Sequence, residues 1–180
     1  FNSAAFRGAQ EAKRKLGITL KEIEASDDSF FEPAMRSFAK KEYDLIVGIG
    51  VAQGDAMKRV AKDNPKTKFA IIDATVDAPN IASAMFAEHQ GSYLVGYIAA
   101  LKSKTGSIGF IGGMDIPLIR RFEKAYTQGA IAAKPGVKVH VNYVGVTSEA
   151  WNNPTKAKEI ASSQYQKGSD VIFVAAGSSN

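Results

Sequence analysis

Cysteine is absent from the 180-residue chain. That excludes disulfides, thiolate metal sites and a cysteine nucleophile, and leaves oxidising and reducing compartments equally open. Histidine is scarce, at two residues, and tryptophan occurs once. No HExxH, GxSxG, Walker A or paired-carboxylate pattern occurs, so the usual starting points for metal, serine and phosphoryl chemistry are missing. No apolar run approaches the ~20 residues of a membrane span. Long basic runs are missing too, although 23 Lys and Arg against 18 Asp and Glu give a formal charge of +5. The basic residues fall in short groups such as Lys13-Arg14-Lys15, Lys40-Lys41 and Arg120-Arg121. Dispersed groups of this kind read as solvated helix faces, not as a nucleic-acid footprint.

What is present is an ordinary globular composition, 45% hydrophobic and 23% charged. Residues 2–16 carry Ala5, Ala9, Ala12 and Leu16 on one helical face, with Gly17 as a C-terminal stop. Residues 18–24 (ITLKEIE) alternate as a strand. A helix follows over 32–41 with Met35, Phe38 and Ala39 inward. YDLIVGIG then reads as a parallel strand covered on both faces. The pattern continues with a helix over 52–63 (Ala52, Ala56 and Val60 inward), a strand at 68–73, a strand at 80–88 and an apolar helix at 91–104. After Gly106 it restarts: strand 107–113, helix 116–133, strand 137–145, helix 154–167 and strand 169–177. The helix at 116–133 places Ile119, Phe122, Tyr126, Gly129 and Ala133 on one stripe.

Strand and helix alternate throughout, which predicts an α/β class with doubly wound parallel sheets. Lys41-x-x-Asp44 before one buried strand and Lys167-x-x-Asp170 before another form a weak internal repeat, each strand leaving through a glycine. The chain begins within what reads as a first helical turn and stops just past a strand. It is therefore expected to be truncated at both ends, with any targeting segment outside it.

In open α/β sheets, ligands collect at the carboxyl ends of the strands. Gly48-Ile-Gly50-Val-Ala-Gln53 resembles a dinucleotide loop but has Gln53 where the third glycine belongs, so a tight strand-to-helix turn is expected. Asp73 follows KFAII directly. It can accept hydrogen bonds from vicinal hydroxyls, or cap the turn at 74–79, a job open also to Asp77. Gly112-Gly113 suits a close approach of backbone, and Asp115 is expected to cap the next helix. His140 reads as a sheet residue and His89 as a helix-start residue. Trp151, in TSEAWNNPTKAKE, stands just before Asn153-Pro154, a helix N-cap followed by proline. Two roles fit it: a hydrophobic staple for that helix, or an aromatic platform for a planar ligand.

FNSAAFRGAQEAK, IIDA, FAEHQGSYLVGYIAA, GFIGGMDIPLIRRFEKAYTQGA and SEAWNNPTKAKEIA resemble, in order and over essentially the whole chain, the basic membrane protein family of PnrA-like substrate-binding lipoproteins of ABC importers. The resemblance implies a type I periplasmic-binding-protein fold of two Rossmann-like lobes that close around a ligand. Residues 1–105 would form the N-terminal lobe without its first strand, and 106–180 the first part of an incomplete C-terminal lobe. It implies a purine nucleoside as ligand, its base stacked between Phe1 and Trp151. Asn2 would be a base contact, Asp73 would hold ribose hydroxyls, and Gly177 would line the second rim. Further ribose-binding positions are expected beyond Asn180. The partners implied are the transmembrane subunits of an ABC permease. The protein would be a periplasmic or cell-surface monomer, membrane-bound only through a lipid anchor, with no catalysis, cofactor, metal or nucleic acid.

Three other readings differ by ligand or class. The same fold can bind a sugar or an autoinducer-like molecule, which would need denser carboxylate, Asn and Arg pairing than the strand ends offer. A nucleotide-dependent doubly wound enzyme would need a phosphate loop and an acid–base residue. A transcription-factor sensor domain would carry a DNA-binding segment elsewhere in the gene.

Overall fold

The computed structural model describes residues 2–25 and 27–179; Asn2 is described by its backbone alone. The packing divides the chain into two compact units, 1–86 and 87–180. This division falls one helix ahead of the lobe boundary expected at Gly106.

The first unit opens with α1 (Asn2–Leu16). It stops at Gly17, whose φ of +66° lets its N–H reach the Lys13 carbonyl at 3.1 Å. Then come α2 (Phe31–Lys40), β1 (Leu45–Ile49), α3 (Gly54–Asp63), β2 (Lys68–Ile72) and β3 (Ile81–Ala84). The strands form a parallel sheet in the order β1-β2-β3, with Leu45 opposite Lys68 and Phe69 opposite Ile81. Met35 and Ala39 of α2, with Met57 and Val60 of α3, bury Ile46, Phe69 and Ile71. Period-3.6 faces thus meet period-2 faces in one core.

Three expectations are corrected here. Residues 18–24 form no strand. Alternation alone does not make one, because a strand's N–H and C=O groups need a neighbouring strand, and none among the described residues pairs with this segment. Ile18 and Ile23 are exposed. Second, β1 is covered on one face only: Ile46 is 3% exposed, while Leu45 and Val47 are 53% and 49% exposed. Third, Ala52 is not inward. It lies exposed on a 3₁₀ turn, Val51–Gln53, ahead of α3.

The second unit runs α4 (Glu88–Lys102), β4 (Ser107–Met114), α5 (Pro117–Ala133), β5 (Lys138–Gly145), α6 (Pro154–Gln166) and β6 (Val171–Ala175). Its parallel sheet has the order β5-β4-β6, so β4 is central and buried up to Gly113. One core packs α4 and α5 against Ile108 and Phe110. A second, including Ala157 of α6, packs against Ile111. Alternate residues of β4 thus serve opposite faces, as a doubly wound sheet requires. Phe110, Tyr126 and Phe173 form a ring triangle with centroids 5.4–5.9 Å apart.

Helix α4 belongs to this unit because glycines let it touch α5. A β-carbon on Gly96 would strike the Tyr126 carbonyl, and one on Gly129 would strike that of Tyr93. Gln164 of α6, fully buried, reaches under the sheet to donate to the Phe110 and His140 carbonyls at 3.1 and 3.2 Å, and Gly109 leaves the room it needs.

The repeat around Asp44 and Asp170 has a structural counterpart. Both follow a helix, both precede a strand, and both strands leave through a glycine of positive φ, Gly50 at +89° and Gly177 at +61°. Asp170 clasps the turn between α4 and β4. It accepts from Ser103 Oγ at 2.6 Å and from the Lys104 and Thr105 amides at 2.7 and 3.1 Å. These donors, the Ser103 hydroxyl foremost, hold its carboxyl at about 2. A depressed carboxylate pKa adds stability above its unfolded value, and that stability disappears as pH falls through about 2. The urea midpoint of Asp170→Asn is therefore expected below that of the wild type at pH 5, with the gap closing as pH is lowered from 4 towards 2. A gap independent of pH would show that the charge does not hold the turn.

Candidate functional site

Trp151 ends a short 3₁₀ turn, Ser148–Trp151, that follows β5. It does not staple α6. A hydrophobic staple pairs the residue just before the cap, here Asn152 and not Trp151, with Ala157, and Trp151 packs against the core that α4 and α5 share. The cap of α6 is Asn153, as the sequence predicts: its Oδ1 accepts from the Lys156 amide at 3.0 Å.

The indole rests on the carboxyl end of β4. A β-carbon on Gly113 would sit 2.5 Å from Trp151 Cε3 and 3.1 Å from Cη2, with Cζ3 closer still. Such distances to three consecutive ring atoms place Gly113 over the face of the six-membered ring; an in-plane approach would leave Cη2 much farther away. The close approach read from Gly112-Gly113 is therefore real, and what approaches is Trp151. Gly177, just past β6, adjoins the same residue: a β-carbon there would meet Trp151 O at 3.2 Å and Cε3 at 3.8 Å. Two of the predicted site residues, Trp151 and Gly177, thus come together at the carboxyl ends of β4 and β6.

Ser179, not foreseen from the sequence, completes this corner. It is 2% exposed. Its Oγ donates to the Ala150 carbonyl at 2.9 Å and accepts from the Asn153 amide at 2.7 Å. The one available signal was its place, two residues past the strand-exit glycine. Asp115 does not cap α5, which is a correction: its carboxylate takes a two-pronged bond from Arg120 Nε and Nη2 at 2.6 and 2.7 Å. That guanidinium lies 6.0 Å from the Tyr143 ring centroid. Burial, foremost, pushes the Tyr143 phenol up. Glycine at 112 makes room for Ile119 and Tyr143, each 2.7 Å from where its β-carbon would be.

In the first unit Asp73 stands at the carboxyl end of β2, half-buried, with its amide bonded to the Ala84 carbonyl at 2.8 Å. Its φ is +62°. Left-handed backbone is uncommon for a non-glycine residue, although Asp tolerates it better than most. Gly50, at the neighbouring strand end, takes the positive φ that its turn demands. Beside Gly48, within β1, Met57 Cε and Gln53 Oε1 fill the space at 2.5 and 2.8 Å from where a β-carbon would be, whereas nothing lies within 4 Å of one on Gly50. Asn2 is the first residue of α1, and the contacts expected of its side chain and of Phe1 lie outside the described structure. His89 is exposed on α4, and His140 is half-buried on β5.

Parallel sheets in both units, with Trp151 and Asp73 near strand carboxyl ends, define an α/β protein of the type I periplasmic-binding-protein fold. More narrowly, the chain belongs to the PnrA-like family of ABC transporter substrate-binding proteins, whose family model matches residues 1–180. It is 38% identical to the "ABC transporter nucleoside-binding protein BmpA" of Lactococcus lactis, over 98% of this chain and 51% of that protein. It is 36% identical to the "CD4+ T-cell-stimulating antigen" of Listeria monocytogenes, over 98% of this chain and 50% of that one. Among solved structures, a solute-binding protein of an ABC transporter system from Aeropyrum pernix superposes with a TM-score of 0.85 at 30% identity, covering 99% of this chain and 51% of that one. The chain thus spans about half the length of these relatives. The family is one of substrate-binding proteins, not of enzymes, which bears out the non-catalytic expectation. Among the described residues no helix is long and apolar enough to cross a membrane.

Proposed function

We infer that the protein is the extracytoplasmic receptor of an ABC importer and that it binds a purine nucleoside for delivery to the permease subunits. The observation that carries this reading is the seat of Trp151: the β4 backbone at Gly113 backs one face of the half-buried indole at the carboxyl end of the sheet, and on this reading the opposite face takes a planar ligand. Base–aromatic stacking contributes about 1–3 kcal/mol. The name of the Lactococcus relative, a nucleoside-binding protein, supports a base over a sugar. On this reading Phe1 supplies the second stacking ring, Asn2 a base contact, Asp73 the ribose hydroxyl acceptor and Gly177 the rim beside Trp151. A lipid anchor would hold the protein at the periplasmic or cell surface, as a monomer without cofactor. Closure around the ligand would stabilise the form that the permease reads.

Trp151 is the only tryptophan of these 180 residues, so in the full-length protein the difference between wild type and Trp151→Ala isolates its fluorescence. Titration with inosine, guanosine, adenosine, cytidine and ribose is expected to show saturable change with purine nucleosides and none with ribose. A response to ribose equal to that to inosine would turn the reading towards a sugar.

A further inference from the structure

We propose that Ser179 is the positioning residue of the Trp151 platform. The proposal rests on the stacking role of Trp151 inferred above. Trp151 sits between Ala150 and Asn153 on a turn with little regular structure: a four-residue 3₁₀ segment, then Asn152, then the cap of α6. A turn of that kind holds a large ring in one place only if its backbone is tied to something rigid. The Ser179 hydroxyl is that tie. It accepts from the Asn153 amide on one flank of Trp151 and donates to the Ala150 carbonyl on the other, at 2.7 and 2.9 Å. One bond satisfies the Ala150 carbonyl at a buried position and the other takes the half-buried Asn153 amide, and a serine hydroxyl can donate and accept at once.

Ser179 is itself held to the sheet. Its amide bonds to the Ala176 carbonyl at 3.2 Å, and Ala176 is fully buried beyond the end of β6. The positive φ of Gly177, +61°, turns the chain so that Ser179 comes back beneath Ala150. The path from sheet to platform is therefore short: β6, Gly177, Ser179, then both flanks of Trp151. Gly113 fixes how closely the ring lies on β4, and Ser179 fixes where along the rim it lies. Ser179 acts through Trp151 and need not touch the ligand.

The test compares wild type, Ser179→Ala, Ser179→Cys and Trp151→Ala by three readouts: inosine affinity by calorimetry, acrylamide quenching of the Trp151 fluorescence, and melting temperature. Cysteine keeps nearly the same shape but offers only a weak donor and acceptor, so it loosens the clasp without opening a cavity and serves if the alanine variant fails to fold. The hydroxyl's loss is expected to weaken inosine binding about fivefold or more and to raise acrylamide access to the indole, with Cys between Ala and wild type. A lower melting temperature with unchanged inosine affinity and unchanged quenching would overturn the proposal and leave Ser179 a turn-closing residue only. If Trp151→Ala binds inosine as well as wild type, the stacking reading itself fails, whatever the Ser179 variants do to quenching.

Discussion

Gly96→Ala is expected to destabilise the protein by about 2 kcal/mol, whereas Gly91→Ala, in the same helix, is expected to stabilise it by up to about 1 kcal/mol. Helix propensity favours alanine by about 1 kcal/mol at both positions. Packing separates them. A β-carbon on Gly91 meets nothing within 4 Å, while on Gly96 it would lie 2.7 Å from the Tyr126 carbonyl carbon and 2.9 Å from its Cα, with the oxygen closer still. The obstacle is backbone, which has no alternative rotamer, so α4 would have to move off α5. That would loosen Ala99, Ala100, Tyr126 and Ala130 together. Gly129, facing the Tyr93 backbone, is expected to behave like Gly96. Urea unfolding followed by circular dichroism gives the sign directly. A stabilising Gly96→Ala would mean that the helices do not lie this close.

Trp151→Ala is expected to weaken purine nucleoside binding by about 5- to 150-fold, the equivalent of about 1–3 kcal/mol of stacking. Gly113→Val should reproduce much of that loss with the tryptophan still present, because its side chain would occupy the place of the indole face. The pair separates the ring from its seat. Calorimetry with inosine measures both, and melting curves tell lost affinity from lost fold. Trp151 is only half-buried, so its removal should cost less stability than the burial of a full aromatic side chain in the core would suggest. Full retention of affinity in Gly113→Val would mean that the orientation of the ring on β4 is immaterial to the ligand.

How much of this was legible in sequence differs by element. Among the described residues, the α-helices and the six strands follow from apolar period, stop signals and chain order. Gly17 at the end of α1, Asn153-Pro154 at the start of α6 and the run SIGFIGG as a central buried strand each carry their own local cause. Residues 18–24 alternate yet form no strand, because alternation is a local property and strand pairing is not. The two-sided burial assigned to YDLIVGIG failed for a related reason: an apolar run records what a strand tolerates, and only its neighbours decide which face is covered. The position of Asp115 predicts a cap, but Arg120, five residues on, offers its carboxylate a stronger bidentate partner.

By itself, the sequence determined the class, the parallel α/β order, the family through its motifs, and the strand ends where Asp73, Trp151 and Gly177 stand. These depend on residue periodicity and on short signals that act within a few positions. Only the tertiary structure decided what Gly113 is for, which core Trp151 joins, that Gly96 and Gly129 seat α4 on α5, and that one buried hydroxyl at Ser179 ties both flanks of Trp151. Each of those is a contact between atoms far apart in the chain, set by how β4, β6 and their turns converge. No local pattern records such a convergence, since glycine and serine look the same in any turn until the fold shows what lies against them.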